Sequence, residues 1–302
     1  MLTINTIADE IGKINPLQGK KIAAYLQGCD GLFFERANKF FARYELLLHH
    51  LGKDLAYGVD CYNNMIADMV VERIEFLRTG RYSNSSFEDV NTRLYNHPND
   101  FDHHMHGLFL AQFLWWDQYQ RFSFFSDNLK IQKPVIKRYL EIGAGHGLYI
   151  NEATEIIGED CIFDLVDISP VSLEMCKVVL AGKKINFVLQ DIYEWSPEYK
   201  YDFITIGEVV EHLEDPHSML RKIGDFLNDD GVIYITTPAN APMIDHIYLF
   251  NDAAHIKGFI HECGYEILNE NYVYAENMEE KKAIKNKVPL MYAAFIKKLK
   301  TP

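Results

Sequence analysis

The chain has 302 residues, about twice the length of a common domain, so one large or two smaller domains are expected. It is 48% hydrophobic and 24% charged, the balance of a globular protein, and 43 acidic against 30 basic residues leave a net charge of −13. Such a surface repels phosphate backbones and anionic lipid heads, which argues against nucleic acid or a membrane as partner.

No apolar run approaches the roughly 18 to 20 residues that span a bilayer. The opening Met-Leu-Thr-Ile-Asn-Thr-Ile-Ala-Asp-Glu lacks the basic start and apolar core of a signal peptide. Cys29, Cys61, Cys161, Cys176 and Cys263 are odd in number and show no CxxC spacing, the usage of reduced thiols rather than a disulfide or zinc framework. A cytoplasmic protein is expected.

Residues 1–130 carry 21 of the 40 aromatic residues and are nearly balanced in charge, with 13 basic and 16 acidic side chains. Tyr62, Ile66, Met69, Val70, Ile74 and Leu77 recur at three- and four-residue intervals, which predicts a helix with one apolar, core-facing stripe. The polar residues 83–102 read as turns and a loop. Helical spacing resumes with Leu108, Ala111, Gln112 and Trp115. This half is expected to be a helical lid or substrate domain over residues 1–134, with the junction at 130–134.

Asp102-His103-His104-Met105-His106 opens the later apolar stretch. His103 and His106, three apart, share a helical face. They are either part of a polar helix start or substrate-facing imidazoles in a cleft. Of the aromatic residues that follow (Phe109, Phe113, Trp115, Trp116, Tyr119, Phe122, Phe124 and Phe125), most are expected in the core and some against an apolar or aromatic acceptor.

From residue 135 the pattern changes. Short apolar runs at 138–142, 162–166, 185–189, 203–206 and 232–235 alternate with helical stretches, the signature of βαβ units and a mostly parallel sheet. Ser169 before Pro170 and Asp215 before Pro216 each place a capping oxygen ahead of a proline suited to the first helical turn. Asn228-Asp229-Asp230-Gly231 reads as a turn, and Gly264 as a helix stop.

The first strand runs into Glu141-Ile142-Gly143-Ala144-Gly145-His146-Gly147-Leu148. Three glycines between strand and helix allow a sharp turn and a close approach of backbone to ligand. Dinucleotide enzymes use a similar turn, but here the spacing is GxGxG. Acids also stand at or after three successive strands: Glu141, Asp167 and Asp191. A carboxylate ending the second strand suits a ribose diol. One after the third can accept from an exocyclic amine of adenine. His146 inside the loop reads as a local backbone partner.

Over residues 136–300 these segments, with Gly207-Glu208-Val209-Val210-Glu211-His212-Leu213-Glu214-Asp215-Pro216, resemble the class I S-adenosylmethionine-dependent methyltransferases. The resemblance implies an α/β architecture over residues 135–302: a doubly wound, seven-stranded, Rossmann-like sheet that the helical domain precedes. An antiparallel hairpin would close it, from 265–268, 272–274 and 289–296, interrupted by an insertion at 276–287. It implies that Gly143, Gly145 and Gly147 cradle the methionyl and ribose portion of the cofactor and that Glu141 orients the loop or the methionine amine. Asp167 would hold the ribose hydroxyls, Ile168 would pack on the adenine, and Asp191, with Ile192 beside it, would read the adenine amine.

Glu208, Glu211 and His212 fall at i, i+3 and i+4, and on a helix they share a face. Two carboxylates and an imidazole there suit an oxygen-rich divalent-metal site, and His246, after the fifth strand, borders the same cleft. The pattern is similar to the ExxEH element of the ubiquinone-biosynthesis O-methyltransferases and of the small-RNA 2′-O-methyltransferases. That similarity implies a divalent cation, Mg2+ or similar, beside an acceptor hydroxyl, and the acidic charge disfavours the RNA version. Two alternatives stand beside the metal: Glu-His pairs also brace this loop without an ion, and His212 or His246 suits a general base.

The resulting expectation is methyl transfer to oxygen, nitrogen or carbon of a small molecule, with oxygen favoured by Glu208, Glu211, His212 and His246. The alternatives are a non-methylating S-adenosylmethionine enzyme, such as a cyclase or alkyl transferase, and an inert binding subunit. A homo-oligomer and a carrier-bound acceptor are compatible with either.

Overall fold

A computed structural model describes residues 2–95 and 97–300. In the first half, capping residues mark where helices begin. Thr3, Asn15, Asp30 and Asp54 each accept an N–H from the first turn of α1 (Ile4–Ile14), α2 (Pro16–Leu26), α3 (Gly31–His50) and α4 (Leu55–Thr79). Gly80, with φ of 74°, ends α4 in the left-handed conformation.

Residues 83–102, expected as turns and a loop, are largely helical. They form α5 (Phe87–Val90), closed by a Ser86–Asp89 capping box, a π-helical turn at Asn91–Tyr95, and the start of α6 (Pro98–Leu114). A four-residue helix and a single π turn are too short to display an amphipathic repeat, which is why periodicity misses them. Next, α7 (Trp116–Gln132) runs through most of the expected junction, and Lys133–Val135 is a 3-10 turn.

The second half builds a seven-stranded sheet in the order β3-β2-β1-β4-β5-β7-β6. Strands β1 (Arg138–Ile142), β2 (Ile162–Asp167), β3 (Ile185–Leu189), β4 (Tyr201–Gly207) and β5 (Leu227–Ala239) are parallel. Helices α8 (Leu148–Ile157), α9 (Pro170–Val179) and α10 (Pro216–Phe226) connect them, and α11 (Ala253–Glu262) leads to β6 (Tyr265–Tyr274). Helix α12 (Glu280–Lys285) lies in the insertion before β7 (Leu290–Lys298), which is antiparallel to both neighbours. Two local expectations change. Residues 228–231 form no turn but a bulged stretch inside β5, where the register with β4 shifts between Tyr201 and Phe203. The two short strands expected at 265–268 and 272–274 are one strand, with an irregularity between Ile267 and Asn269.

Apolar packing joins the two halves. Phe33, Phe40, Phe41, Tyr44, Phe109 and Phe113 form an aromatic cluster among the first helices, and it continues into Leu148 of α8 and Met175 and Val179 of α9. Helix α7 straddles the junction: Phe122 belongs to that cluster, whereas Phe125 and Leu129 pack with Tyr139, Phe203, Tyr234 and Phe295 of the sheet. The α4 stripe is only half core. Tyr62 is buried, but Val70 and Ile74 are 53% and 62% exposed, because this end of α4 borders a cavity instead of another helix. Among the described residues, no helix is long and apolar enough to cross a membrane.

Phe125 is fully buried, with ring centroids 5.0 Å from Tyr149 and 4.8 Å from Tyr234. Phe125→Ala is expected to destabilise the protein by about 3–5 kcal/mol. Urea unfolding should show one transition shifted to lower denaturant for both halves; a shift confined to either half would contradict their shared packing.

Candidate active site

The glycine loop leaves β1 in a conformation that only glycine adopts at low cost. At Gly143, φ is 67°, and a Cβ there would lie 2.5 Å from Val209 Cγ2. Gly147 (φ 75°) opens α8, and a Cβ on it would press at 3.2 Å on Cys176 Sγ and Leu180. This glycine therefore serves helix packing, whereas Gly143 and Gly145 line a cavity of about 1940 Å³ together with Glu141, Asp167, Ile168, Asp191 and Ile192.

Asp167 accepts the Ser169 N–H at 2.7 Å. Burial pushes its carboxyl up to about 6, against the pull of N–H groups from Ser169, Gly145, Ala144 and Ile168. Ile168 is 61% exposed into the cavity, the geometry of a side chain that waits for a flat partner. Asp191 accepts the Tyr193 N–H at 2.9 Å through Oδ1 and lines the cavity. Glu141 lies beneath the loop, accepts from Tyr139 Oη at 3.2 Å, and is held by burial well above the usual carboxylate range. Left-handed glycines at the cavity wall, an exposed apolar side chain and two spaced carboxylates fit S-adenosylmethionine.

The expected helical face of Glu208, Glu211 and His212 does not form. Glu208 has a left-handed φ of 55°, and its N–H is tied to Thr236 O at 3.0 Å, so only Val210–His212 makes a 3-10 turn. The Glu208 carboxylate pairs with the guanidinium of Arg121, a residue 1% exposed on α7 whose other arm holds Gln118 Oε1 at 2.6 Å. Glu208 therefore stands outside the cluster that the other three residues form.

One ligand atom from each of Glu211, His212 and His246 lies within 4.8 Å of the others. His212 Nδ1 is 3.0 Å from the Asp245 carbonyl, and His246 Nδ1 is 2.6 Å from the Ala241 carbonyl. Carbonyls accept only, so both Nδ1 atoms carry a proton and Nε2 is the atom of each ring that can offer a lone pair. Against burial, Asp245 and Glu211 raise His212 above the ordinary imidazole range, so a cation there has to displace its Nε2 proton. Thr237 donates to Glu211 Oε2 at 2.9 Å, while Oε1 is buried with no partner. Burial, then the Glu208 charge, lifts the Glu211 carboxyl to about 8. Burial and neighbouring His212 press His246 down to about 3. Against its own burial, Asp245 is held well below the ordinary carboxylate range by His212 and His104. Two imidazole nitrogens and an orphaned carboxylate oxygen fit a divalent transition metal such as Mn2+, Fe2+, Co2+ or Zn2+ better than the all-oxygen set that Mg2+ prefers.

The histidines singled out on α6 do not face this site. His106 is buried, with Nδ1 2.9 Å from Tyr44 Oη, and His103 packs edge-on against Tyr57 at 5.5 Å. Neither lines the cavity; His104 between them does, and its Nε2 lies 3.5 Å from Asp245 Oδ2. Successive helical residues point about 100° apart. The spacing therefore identified a face without revealing which one meets the sheet. His104 and Arg121 were missed for that reason, and Asp245 because a loop carries no periodicity to read, although an arginine between Gln120 and Phe122 in an aromatic stretch is itself a signal.

Glu208→Ala leaves the Arg121 guanidinium buried without its carboxylate and is expected to cost about 3–5 kcal/mol. Glu208→Gln, which keeps an acceptor, should cost distinctly less; equal thermal shifts for the two variants would contradict the ion pair.

Residues 101–270 match the model of a family described as a methyltransferase domain. The match begins in α6 and so includes helices of the first half. A malonyl-[acyl-carrier protein] O-methyltransferase of Ilyobacter polytropus is 29% identical over 102 residues, 33% of this chain and 38% of that protein. A ubiquinone biosynthesis O-methyltransferase of Marinobacter nauticus is 27% identical over 135 residues, 41% of this chain and 56% of its own. The chain thus spans about half the length of these relatives, or less. Among solved structures, the N-methyltransferase NodS of Bradyrhizobium japonicum with S-adenosyl-L-homocysteine has a TM-score of 0.51 at 14% identity, covering 68% of this chain and 98% of that one. PigF with S-adenosylhomocysteine has a TM-score of 0.54 at 14% identity, covering 80% and 74%. At that identity they establish the fold, and the family match with the motif-bearing strand ends establishes the rest: the chain belongs to the class I S-adenosylmethionine-dependent methyltransferases.

Proposed function

We propose that the protein transfers a methyl group from S-adenosylmethionine to a hydroxyl oxygen of a small molecule, with a divalent cation held by Glu211, His212 and His246. The single observation that carries this reading is the convergence of their ligand atoms within 4.8 Å, beside the cavity that the glycine loop lines. His212 and Asp245 line that cavity too, as do Tyr25, Phe33, Met69, Phe101 and Trp115 from the preceding helices. Its volume exceeds the roughly 300–1,000 Å³ of an ordinary ligand site, which leaves room for a cofactor and a mostly apolar acceptor together. In this reading, residues 1–134 are the acceptor-binding lid over the cofactor-binding residues 135–302.

The cofactor brings an electrophilic methyl already activated on sulfonium. A divalent cation, when bound, would lower the pKa of the acceptor hydroxyl. The chain itself has to hold two reactants in line at about 3–3.5 Å and exclude water, an effect worth roughly 7–11 kcal/mol. Asp167 anchors the ribose end, Ile168 covers one face of the base, and Asp191 reads its amine. Glu141, fixed by Tyr139, supports the loop from below. His212 and His246, each locked by a carbonyl at Nδ1, present Nε2 on the acceptor side, and Thr237 sets the Glu211 carboxylate.

Incubation with trideuteriomethyl-labelled S-adenosylmethionine and a small-molecule extract should give a product heavier by the labelled methyl, lost with EDTA. Cofactor conversion to methylthioadenosine with no labelled product would instead favour alkyl transfer. Asp167→Ala should weaken S-adenosylhomocysteine binding by about 10- to 100-fold in calorimetry, the loss of one or two charged hydrogen bonds. His212→Ala should leave that affinity within about threefold of wild type and abolish turnover; retained turnover would remove its assigned role.

A further inference from the structure

We propose that the N-terminal helical half supplies the outer shell of the Glu211–His212–His246 site, with His104 and Asp245 as the positioning pair that sets His212. This rests on the metal reading of that triad and goes beyond it, because it makes the first hundred residues part of the site.

The loop at residues 241–246 provides His246 and, through the Asp245 carbonyl, fixes the His212 ring. Nearly every side chain that restrains this loop comes from far earlier in the chain. Tyr82 Oη accepts the Ala241 N–H at 3.0 Å. The Asn84 amide donates to Ile244 O at 2.7 Å and His246 O at 3.3 Å. Asn84 is itself held by Arg93 at 2.7 Å, which reaches the buried Glu72 carboxylate at 2.6 Å. On the other side of the triad, Glu214 accepts the Phe87 N–H at 2.8 Å. These tethers fix the loop backbone at Ala241, Ile244 and His246, and the Ala241 carbonyl so placed holds the His246 ring through Nδ1.

His104 acts at the centre. Asp245 Oδ2 lies 3.5 Å from His104 Nε2 and 3.6 Å from His212 Nδ1, so one buried carboxylate faces an imidazole from α6 and a ligand imidazole together. An imidazole that binds a cation through Nε2 gains affinity when Nδ1–H is held by a carbonyl or carboxylate. Loss of such a partner typically costs 10- to 100-fold. Here both acceptors belong to Asp245, and His104, carried by the other half, faces its carboxylate. The His104 and Asp245 side chains are both buried at the edge of the cavity.

The test reads metal binding, not activity. Co2+ is titrated into the full chain at one fixed pH, followed by the visible absorption of imidazole-ligated Co2+, with S-adenosylhomocysteine affinity as the check on folding. Asp245→Asn, which removes the charge and keeps the main-chain carbonyl on His212 Nδ1, and His104→Phe should each raise the Co2+ Kd about 10-fold, the lower end of what an outer-shell partner contributes, while S-adenosylhomocysteine affinity holds. His104→Gln, which retains a donor toward Asp245, should stay within about threefold of wild type. If the wild-type protein binds Co2+ and both Asp245→Asn and His104→Phe bind it equally well, the outer-shell role is overturned and the metal reading stands. If the wild-type protein gives no Co2+ spectrum, the metal reading itself fails.

Discussion

A guanidinium is costly to bury without a counter-charge, and the local geometry of the candidate site follows from the one buried at Arg121. Its partner is Glu208, at the end of β4. To reach it, Glu208 takes a left-handed backbone conformation, which costs of order 1–3 kcal/mol for a residue other than glycine. An unpaired buried charge costs about 3–5 kcal/mol, so the strained pairing wins. The consequence runs down the chain. Glu208 cannot begin a helix, the following residues tighten into a 3-10 turn, and Glu211 and His212 swing toward His246 instead of lining up with Glu208.

The same pair links the two halves of the molecule, since Arg121 lies on α7 and Glu208 on the sheet. Around it, α7 carries Phe122 into the aromatic cluster of the helices and Phe125 into the core of the sheet. One cavity results between the glycine loop and the aromatic helices, and His212 and His246 line it. The proposed methyl transfer needs alignment more than acid or base power, and a cavity walled by two mutually packed layers suits that need.

Much of the architecture is legible from the chain. Five parallel strands, the caps at Ser169 and Asp215, the loop at Gly143–Gly147 and the acids at the strand ends need only local chemistry, and all sit where periodicity and capping place them. The misreadings share a cause. Residues 228–231 carry turn residues, yet pairing with β4 absorbs them as a bulge. The α4 stripe looks like core, yet Val70 and Ile74 face a cavity. In both cases the local pattern was real and the partner that decided its outcome was invisible.

The histidines make the division clear. The sequence by itself determined that Glu211 and His212 are adjacent, that His246 follows the fifth strand, and that a run of imidazoles opens α6, because spacing along a chain is covalent. It also determined the glycine loop, since a left-handed turn tolerates little else. Which imidazole of the α6 run meets Asp245, that Glu208 leaves the cluster for Arg121, and that Tyr82 and Asn84 hold a loop some 160 residues away were decided by tertiary structure alone. Those choices depend on the rotation of one helix against a sheet and on the counter-charge of a buried arginine, neither of which is a property of any single segment.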